Sequence, residues 1–434
     1  MRYHSIQTPD TTVSFGEAVL QGLPPDRSLY VPESIPEIFA SINIKGAALH
    51  DVAKLVLRPF IDHSEMTDDQ LDRIVENASN FPIDIVDVGD KKVLELFHGP
   101  TAAFKDVAAR YLSGFMAHYT SSGDTCTILT ATSGDTGGAM AHGFGNADRT
   151  NMVVLYPNGR VSDVQEQQLT HTHANVTTYR VSGSFDDCQD MVKLAFDDPE
   201  LQELNLTSAN SINIGRLLPQ IIYYAYAHAQ TGETHRIVVP TGNMGNVTAC
   251  VMAEAMGIPI SSVVVANNRN ATFHNHVAQN RADFGSMSTY SSAMDVSRPN
   301  NLPRLLRAVE KSGLEIDERI GNRDKRKDTP AEKIVATGAT TNHDVITAIR
   351  NVHEQHGYVL DPHTAVAWHA SERDPTDNDL IVSTAAPEKF PGVMERADIV
   401  VDTAELIGRV SHLPESVTEI PADYEALKRQ LLTT

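Results

Sequence analysis

From about residue 93 to residue 330, short apolar runs alternate with stretches of helical periodicity, and no other property of the chain narrows its fold as much. The runs Thr125–Thr130, Met152–Tyr156, Val176–Val181, Arg236–Pro240 and Ser262–Ala266 read as strands. Between them, Gly137–Gly143, Asp186–Phe196, Arg216–Thr231 and Asn246–Met256 read as helices, with Ser184 or Asp186 as the cap of the second. Strands separated by helices are joined by crossovers. They therefore lie parallel, and the fold class is α/β built on parallel sheets. Beyond this region, Val345–Gln355 and Thr364–Ser371 are helical patterns and Asp379–Thr384 is a strand. Residues 1 to about 90 form a preliminary unit with a short helix over Val13–Leu20, ended by Gly22, and two amphipathic helices at 51–60 and 68–79. The mixed charge run at 322–328 reads as a solvated loop.

Composition excludes several functions. The chain has 434 residues, 41% of them hydrophobic, enough for roughly three domain-sized units. Its formal net charge is −21, so nothing draws in nucleic acid or an anionic membrane, and an anionic substrate needs a local positive pocket. The three cysteines, Cys126, Cys188 and Cys250, form no Cys-x-x-Cys pair. The histidine pairs His171/His173, His274/His276 and His353/His356 lack a zinc-site frame, and no metal is expected. No apolar run approaches eighteen residues, and the start carries no export signature, so a cytoplasmic protein is expected.

Four stretches carry chemistry. The first, His98-Gly99-Pro100-Thr101-Ala102-Ala103-Phe104-Lys105-Asp106, follows the apolar strand Val93–Phe97. Lys105 then opens a helix with Val107, Ala108, Tyr111, Leu112 and Phe115 on one face. A lysine in the first turn of a helix lies at the positive end of the dipole, which favours the neutral amine that Schiff-base chemistry requires. The second, Thr132-Ser133-Gly134-Asp135-Thr136-Gly137-Gly138, joins strand to helix and offers backbone and hydroxyl donors to a carboxylate; an ordinary capped turn is the alternative. The third, Gly242-Asn243-Met244-Gly245-Asn246, is a glycine-rich helix start that suits a single phosphate. It is neither a dinucleotide fingerprint nor a Walker loop. In the fourth, Ser383-Thr384-Ala385-Ala386-Pro387-Glu388-Lys389, a hydroxyl at a strand end can bond a ring nitrogen. An imine-forming lysine, a one-phosphate cradle, an anion-binding turn and such a hydroxyl together suggest pyridoxal phosphate.

With the further segments Ser208–Asn213 and Ser292–Asn301, these motifs resemble the threonine synthase family, within the second fold type of pyridoxal-phosphate enzymes. The start resembles it too, through Val13-Ser14-Phe15 and Gly22-Leu23, so the resemblance spans the chain in order. It implies two parallel-sheet α/β domains of the tryptophan-synthase-β-like kind with an additional N-terminal unit. The divisions expected are 1–92 for that unit, 93–205 for a smaller domain carrying Lys105, and 206–434 for a larger one carrying the phosphate loop and Thr384.

The resemblance also implies roles. Lys105 carries pyridoxal 5'-phosphate covalently and moves protons, Phe104 lies against its ring, Gly242, Asn243, Met244, Gly245 and Asn246 hold its phosphate, and Thr384 meets its ring nitrogen. Thr132, Ser133, Gly134, Asp135 and Thr136 receive the substrate carboxylate, and Arg160, Ser211 and Asn213 the substrate phosphate. Met244 stands where the family usually has phenylalanine, at a position that needs only backbone. Ala386 stands where many members have histidine. Asp361-Pro362-His363-Thr364 also resembles a family segment.

The implied reaction converts O-phospho-L-homoserine and water to L-threonine and phosphate, in a monomer or homodimer without a nucleic-acid or membrane partner. The alternatives are a serine/threonine dehydratase or phospho-lyase of the same fold, and a catalytically silent relative that binds a phosphorylated ligand.

Overall fold

The computed structural model describes residues 1–120, 124–132, 134–279, 286–316, 333–336 and 339–433. The charge run at 322–328 and Ser133 lie outside the described residues.

Among the described residues the strands form three sheets. The largest has seven strands, in the order Glu315–Ile316, Lys333–Ala336, Ile260–Ala266, His235–Pro240, Asp379–Ser383, Lys91–Glu95 and Asp84–Val88. All its neighbours are parallel except the last pair, where Asp84 faces Glu95 across an antiparallel edge. The second has five parallel strands, in the order Thr418–Pro421, Val176–Ser182, Thr150–Pro157, Cys126–Ala131 and Leu206–Thr207. Every residue of Cys126–Ala131 and of His235–Pro240 is buried, as expected where helices cover both faces of a parallel sheet. The expected α/β fold class with parallel sheets and an N-terminal unit is therefore present.

Four strands lie across the divisions expected at 93 and 206. Asp84–Val88 and Lys91–Glu95 belong to the seven-stranded sheet, and Leu206–Thr207 and the late strand Thr418–Pro421 form the two edges of the five-stranded sheet.

The N-terminal unit holds a small antiparallel sheet of Thr12–Val13, Tyr3–Ser5 and Tyr30–Pro32. Its helix Phe15–Gln21 starts in a capping box, Ser14 with Glu17, and stops at Gly22, whose φ of 70° suits glycine. Phe15 is fully buried and meets Phe115 edge-on at 5.1 Å. Phe115 lies on the helix Lys105–Tyr119, so the N-terminal unit grips the far end of the helix that begins with the lysine.

Most helix ends fall where caps and apolar spacing place them. Ser184 caps Phe185–Asp197, and Val107, Ala108, Tyr111, Leu112 and Phe115 are all buried. The expected continuous helix over Arg216–Thr231 is instead three pieces: Ile214–Leu217, a 3-10 turn at Leu218–Gln220, and Ile221–Thr231. Pro219 has no N–H to continue the ladder, and its ring crowds the preceding turn.

Candidate functional site

The motifs converge on one cleft at the C-terminal ends of both parallel sheets. Lys105 is the first residue of its helix. The preceding loop is not free. Phe104 N–H donates to Thr384 C=O at 2.9 Å, and Ala386 N–H donates to Ala102 C=O at 3.1 Å. Ala102 takes a left-handed φ of 54° to make this turn. Backbone bonds thus hold the lysine beside the end of the strand Asp379–Ser383, with Thr384 lining the same cleft.

The Lys105 amine sits 3.4 Å from Asp135 Oδ2 and 5.5 Å from the centre of the Phe104 ring. Burial lowers its pKa; Asp135 opposes that, while Lys389 and Arg216 reinforce it. Burial pushes the Asp135 carboxyl up, but Lys389, Lys105 and His363 together hold it well below the usual carboxylate range.

The cradle begins at Gly242. A Cβ there would lie 2.7 Å from Ala293 O, so only glycine lets the two backbones approach. Met244 is left-handed, with a φ of 63°, and Gly245 starts the helix Gly245–Ala255. This geometry turns the first N–H groups of the helix outward as an anion nest. Asn246 lines the cleft. Its Oδ1 accepts from Tyr223 and Tyr224 at 2.6 and 2.5 Å, which fixes the amide, while its buried Nδ2 has no partner among the described residues. A buried donor left open beside a glycine-lined nest fits a phosphate ester. The residues present therefore fit pyridoxal phosphate: cradle, amine and strand-end hydroxyl share one cleft.

The turn after Cys126–Ala131 is organised by Thr132. Its Oγ1 accepts from Gly134 N–H at 3.0 Å and Gly137 N–H at 2.8 Å. This directs the start of the helix Asp135–Gly143 at the cleft, where Thr132, Asp135 and Thr136 line the wall. Gly134 has a φ of 132°, and a Cβ there would strike Gln165.

The expected substrate-phosphate residues separate. Ser211 lines the cleft. Asn213 is fully buried behind it and is spent on structure: it caps Gly215 N–H and donates to Val19 O and Ser208 O. Arg160 is exposed, follows Gly159 with its φ of 66°, and is not part of the cleft wall.

The basic residue in the wall is Arg216. It is 3% exposed, donates from Nη1 to Ala209 O at 2.9 Å, and leaves Nε without a partner. Among the described residues no carboxylate pairs with it, and burial pushes its guanidinium down to about 10. Sequence reasoning passed over it. Its only signal was position, three residues beyond the matching segment Ser208–Asn213.

His363 also lines the cleft. Its Nε2 accepts from Ala293 N–H at 3.2 Å and its Nδ1 lies 2.8 Å from Asp361, an arrangement that assigns the proton to Nδ1.

Comparison with known proteins agrees with this geometry. The family described as "Pyridoxal-phosphate dependent enzyme" matches residues 93–384, and "Threonine synthase N terminus" matches residues 2–79. The chain is 35% identical to threonine synthase of Haemophilus influenzae over 442 residues, covering 100% of both chains. It is 35% identical to that of Escherichia coli over 447 residues, covering 100% of this chain and 99% of the relative. The crystal structure of the E. coli enzyme superposes with a TM-score of 0.85 at 34% identity over 100% of both chains. Pyridoxal-phosphate-bound threonine synthase from Brucella melitensis gives 0.86 at 32% identity, covering 99% of this chain and 98% of that one. A lysine facing a one-phosphate cradle, with both family matches in order along the chain, settles the assignment: this chain belongs to the threonine synthase family.

Proposed function

We propose that the cleft converts O-phospho-L-homoserine and water to L-threonine and phosphate, with Lys105 as the catalytic residue. What supports this reading is that one cleft brings together the lysine and two groups suited to anions. One is the nest at Gly242–Asn246. The other is the buried Arg216, which among the described residues has no carboxylate partner. The first suits the cofactor phosphate and the second the phosphate of the substrate.

Gly242, Asn243, Met244, Gly245 and Asn246 would hold pyridoxal 5'-phosphate, Phe104 would flank it, Thr384 would meet its ring nitrogen, and Lys105 would bind it covalently. When bound, that group supplies a sink for the electrons released at the substrate's α-carbon. The residues of the chain supply the rest. Helix-start N–H groups and hydroxyls at Thr132, Ser133, Gly134, Asp135 and Thr136 orient the substrate carboxylate. Lys105, with its pKa lowered by burial, takes the α-proton through Nζ, a β-proton is then lost so that its electron pair expels the phosphate from Cγ, and protons are returned to Cγ and Cα. Arg216 and Ser211 hold the departing phosphate at Cγ, and charge-assisted donors there offset the developing negative charge. Water then adds at Cβ. Arg216 takes the place that the sequence pattern offered to Arg160, and Asn213 supports Ser211 from behind.

The net charge of −21 and three buried free cysteines support a cytoplasmic enzyme without a nucleic-acid partner, and the assembly proposed is a monomer or homodimer. Among the described residues no helix is long and apolar enough to cross a membrane.

The test measures phosphate and threonine from O-phosphohomoserine for wild type and Lys105→Ala. Equal amounts of both products from wild type, and a loss of at least about 10³-fold in the variant, support the reading. Phosphate accompanied by 2-oxobutyrate instead of threonine would make the protein a phospho-lyase, and no turnover would make it a silent relative.

A further inference from the structure

Lys389 has no role in any of the chemistry above, yet it is fully buried. Its ammonium donates to Thr101 O at 2.6 Å and to Gln168 Oε1 at 3.0 Å, and it forms an ion pair with Asp135 Oδ1 at 3.0 Å. Asp135 Oδ1 also accepts from Gln165 Nε2 at 2.9 Å, and Oδ2 faces Lys105 at 3.4 Å. One buried carboxylate is thus shared by two lysines, Lys389 fully buried and Lys105 partly so, and only Lys105 lines the cleft. The other titratable and charged groups facing this array are His363 beside Asp135, Arg216 beside Lys105, and Asp106, on which Lys389 acts.

Asp135 presents a problem that Lys389 answers. It opens the helix whose start is offered to the substrate carboxylate, so its own charge would repel that group at short range. Burial magnifies the repulsion, because low dielectric screens it weakly. Asp135 would also hold the Lys105 amine charged if Lys105 were its sole counter-ion.

We propose that Lys389 is a positioning residue for the reaction, the permanent counter-ion that cancels Asp135 in the carboxylate-binding turn and leaves Lys105 free to shed its proton. The inference rests on the reaction proposed above. Lys389 reaches this place through the segment Ser383–Lys389, and Ser162 Oγ, donating to Lys389 C=O at 2.7 Å, ties that segment to the helix carrying Gln165 and Gln168.

The test compares Lys389→Met, Lys389→Arg and the double variant Asp135→Asn/Lys389→Met in cofactor-loaded full-length protein. Two readouts are taken: KM and kcat for O-phosphohomoserine, and the pH midpoint of the visible absorption band that reports the Lys105–cofactor linkage. Lys389→Met should raise KM at least tenfold, with a smaller change in kcat, and move the band midpoint up by a pH unit or more. Lys389→Arg should keep most of the wild-type KM. The double variant, in which both charges are gone, should recover KM and midpoint relative to Lys389→Met. Unchanged KM and midpoint in Lys389→Met overturn the inference. If that variant does not load cofactor, the double variant decides: recovery of loading supports charge cancellation, and equal damage overturns it. A wild type that loads cofactor but does not turn over O-phosphohomoserine defeats the proposed reaction instead, and the band midpoint still tests Lys389.

Discussion

Arg216 and Arg160 show how two like residues part company once the chain folds. Arg216 is enclosed in the cleft wall with an open Nε, whereas Arg160 follows a left-handed glycine into solvent. A charge-assisted hydrogen bond contributes about 1.5–3 kcal/mol. Arg216→Met should therefore raise KM for O-phosphohomoserine about 10- to 100-fold, while Arg160→Ala leaves it unchanged; steady-state kinetics on both variants separate them. Sequence reasoning singled out the lysine, the glycines and the strand-end hydroxyl, which share one cleft, because each answers a local demand: a helix start, a close backbone approach, a turn. It could not find Arg216, because burial without a counter-ion is a property of the surroundings. Asn213 failed for the converse reason. Its amide looks like a ligand in the sequence, but Val19, 194 positions away, already takes its hydrogen bond.

At the scale of elements, the helix Lys105–Tyr119 is held at both ends, by the Thr384 bridge at its start and by Phe15 near its end. Phe15→Ala should cost about 3–5 kcal/mol in global stability, read from urea midpoints, because it empties a fully buried site. The helix Asp135–Gly143 carries a pH prediction. Burial, with Arg110, His173 and His412, lowers His142 to about 4. The unfolded chain binds that proton near pH 6.5 and the folded chain only near 4, so stability falls as pH drops from about 6.5 to about 4 and is level below. His142→Gln should flatten that part of the urea-midpoint profile. Element boundaries were legible wherever a side chain caps a helix, as at Ser14 and Ser184. The break at Pro219 was legible too, but apolar periodicity on either side of it outweighed the proline.

Over the whole molecule, alternation of strand and helix was enough to indicate parallel sheets, but not which strand joins which sheet. Crossovers conceal neighbours that are far apart in sequence, so Thr418–Pro421 and Lys91–Glu95 could be placed only by pairing. The overall charge acts at this scale as well. An anionic substrate approaches a protein of net charge −21 against a repulsive field that salt screens. At low ionic strength kcat/KM should therefore rise on adding sodium chloride, and initial rates from 10 to 100 mM salt would show it (roughly the range in which the Debye length shrinks from 30 to 10 Å).

The strand Asp379–Ser383 sits between His235–Pro240 and Lys91–Glu95, in the interior of the larger sheet. Its end supplies both the carbonyl that anchors Phe104 and the hydroxyl beside the lysine. A ribosome makes Lys105 early and this strand late. A growing chain therefore carries a reactive amine for most of its synthesis without a site to use it, and cannot capture its cofactor until nearly all of it has emerged. Cofactor uptake thus doubles as a signal that translation has run almost to its end and the sheet has closed.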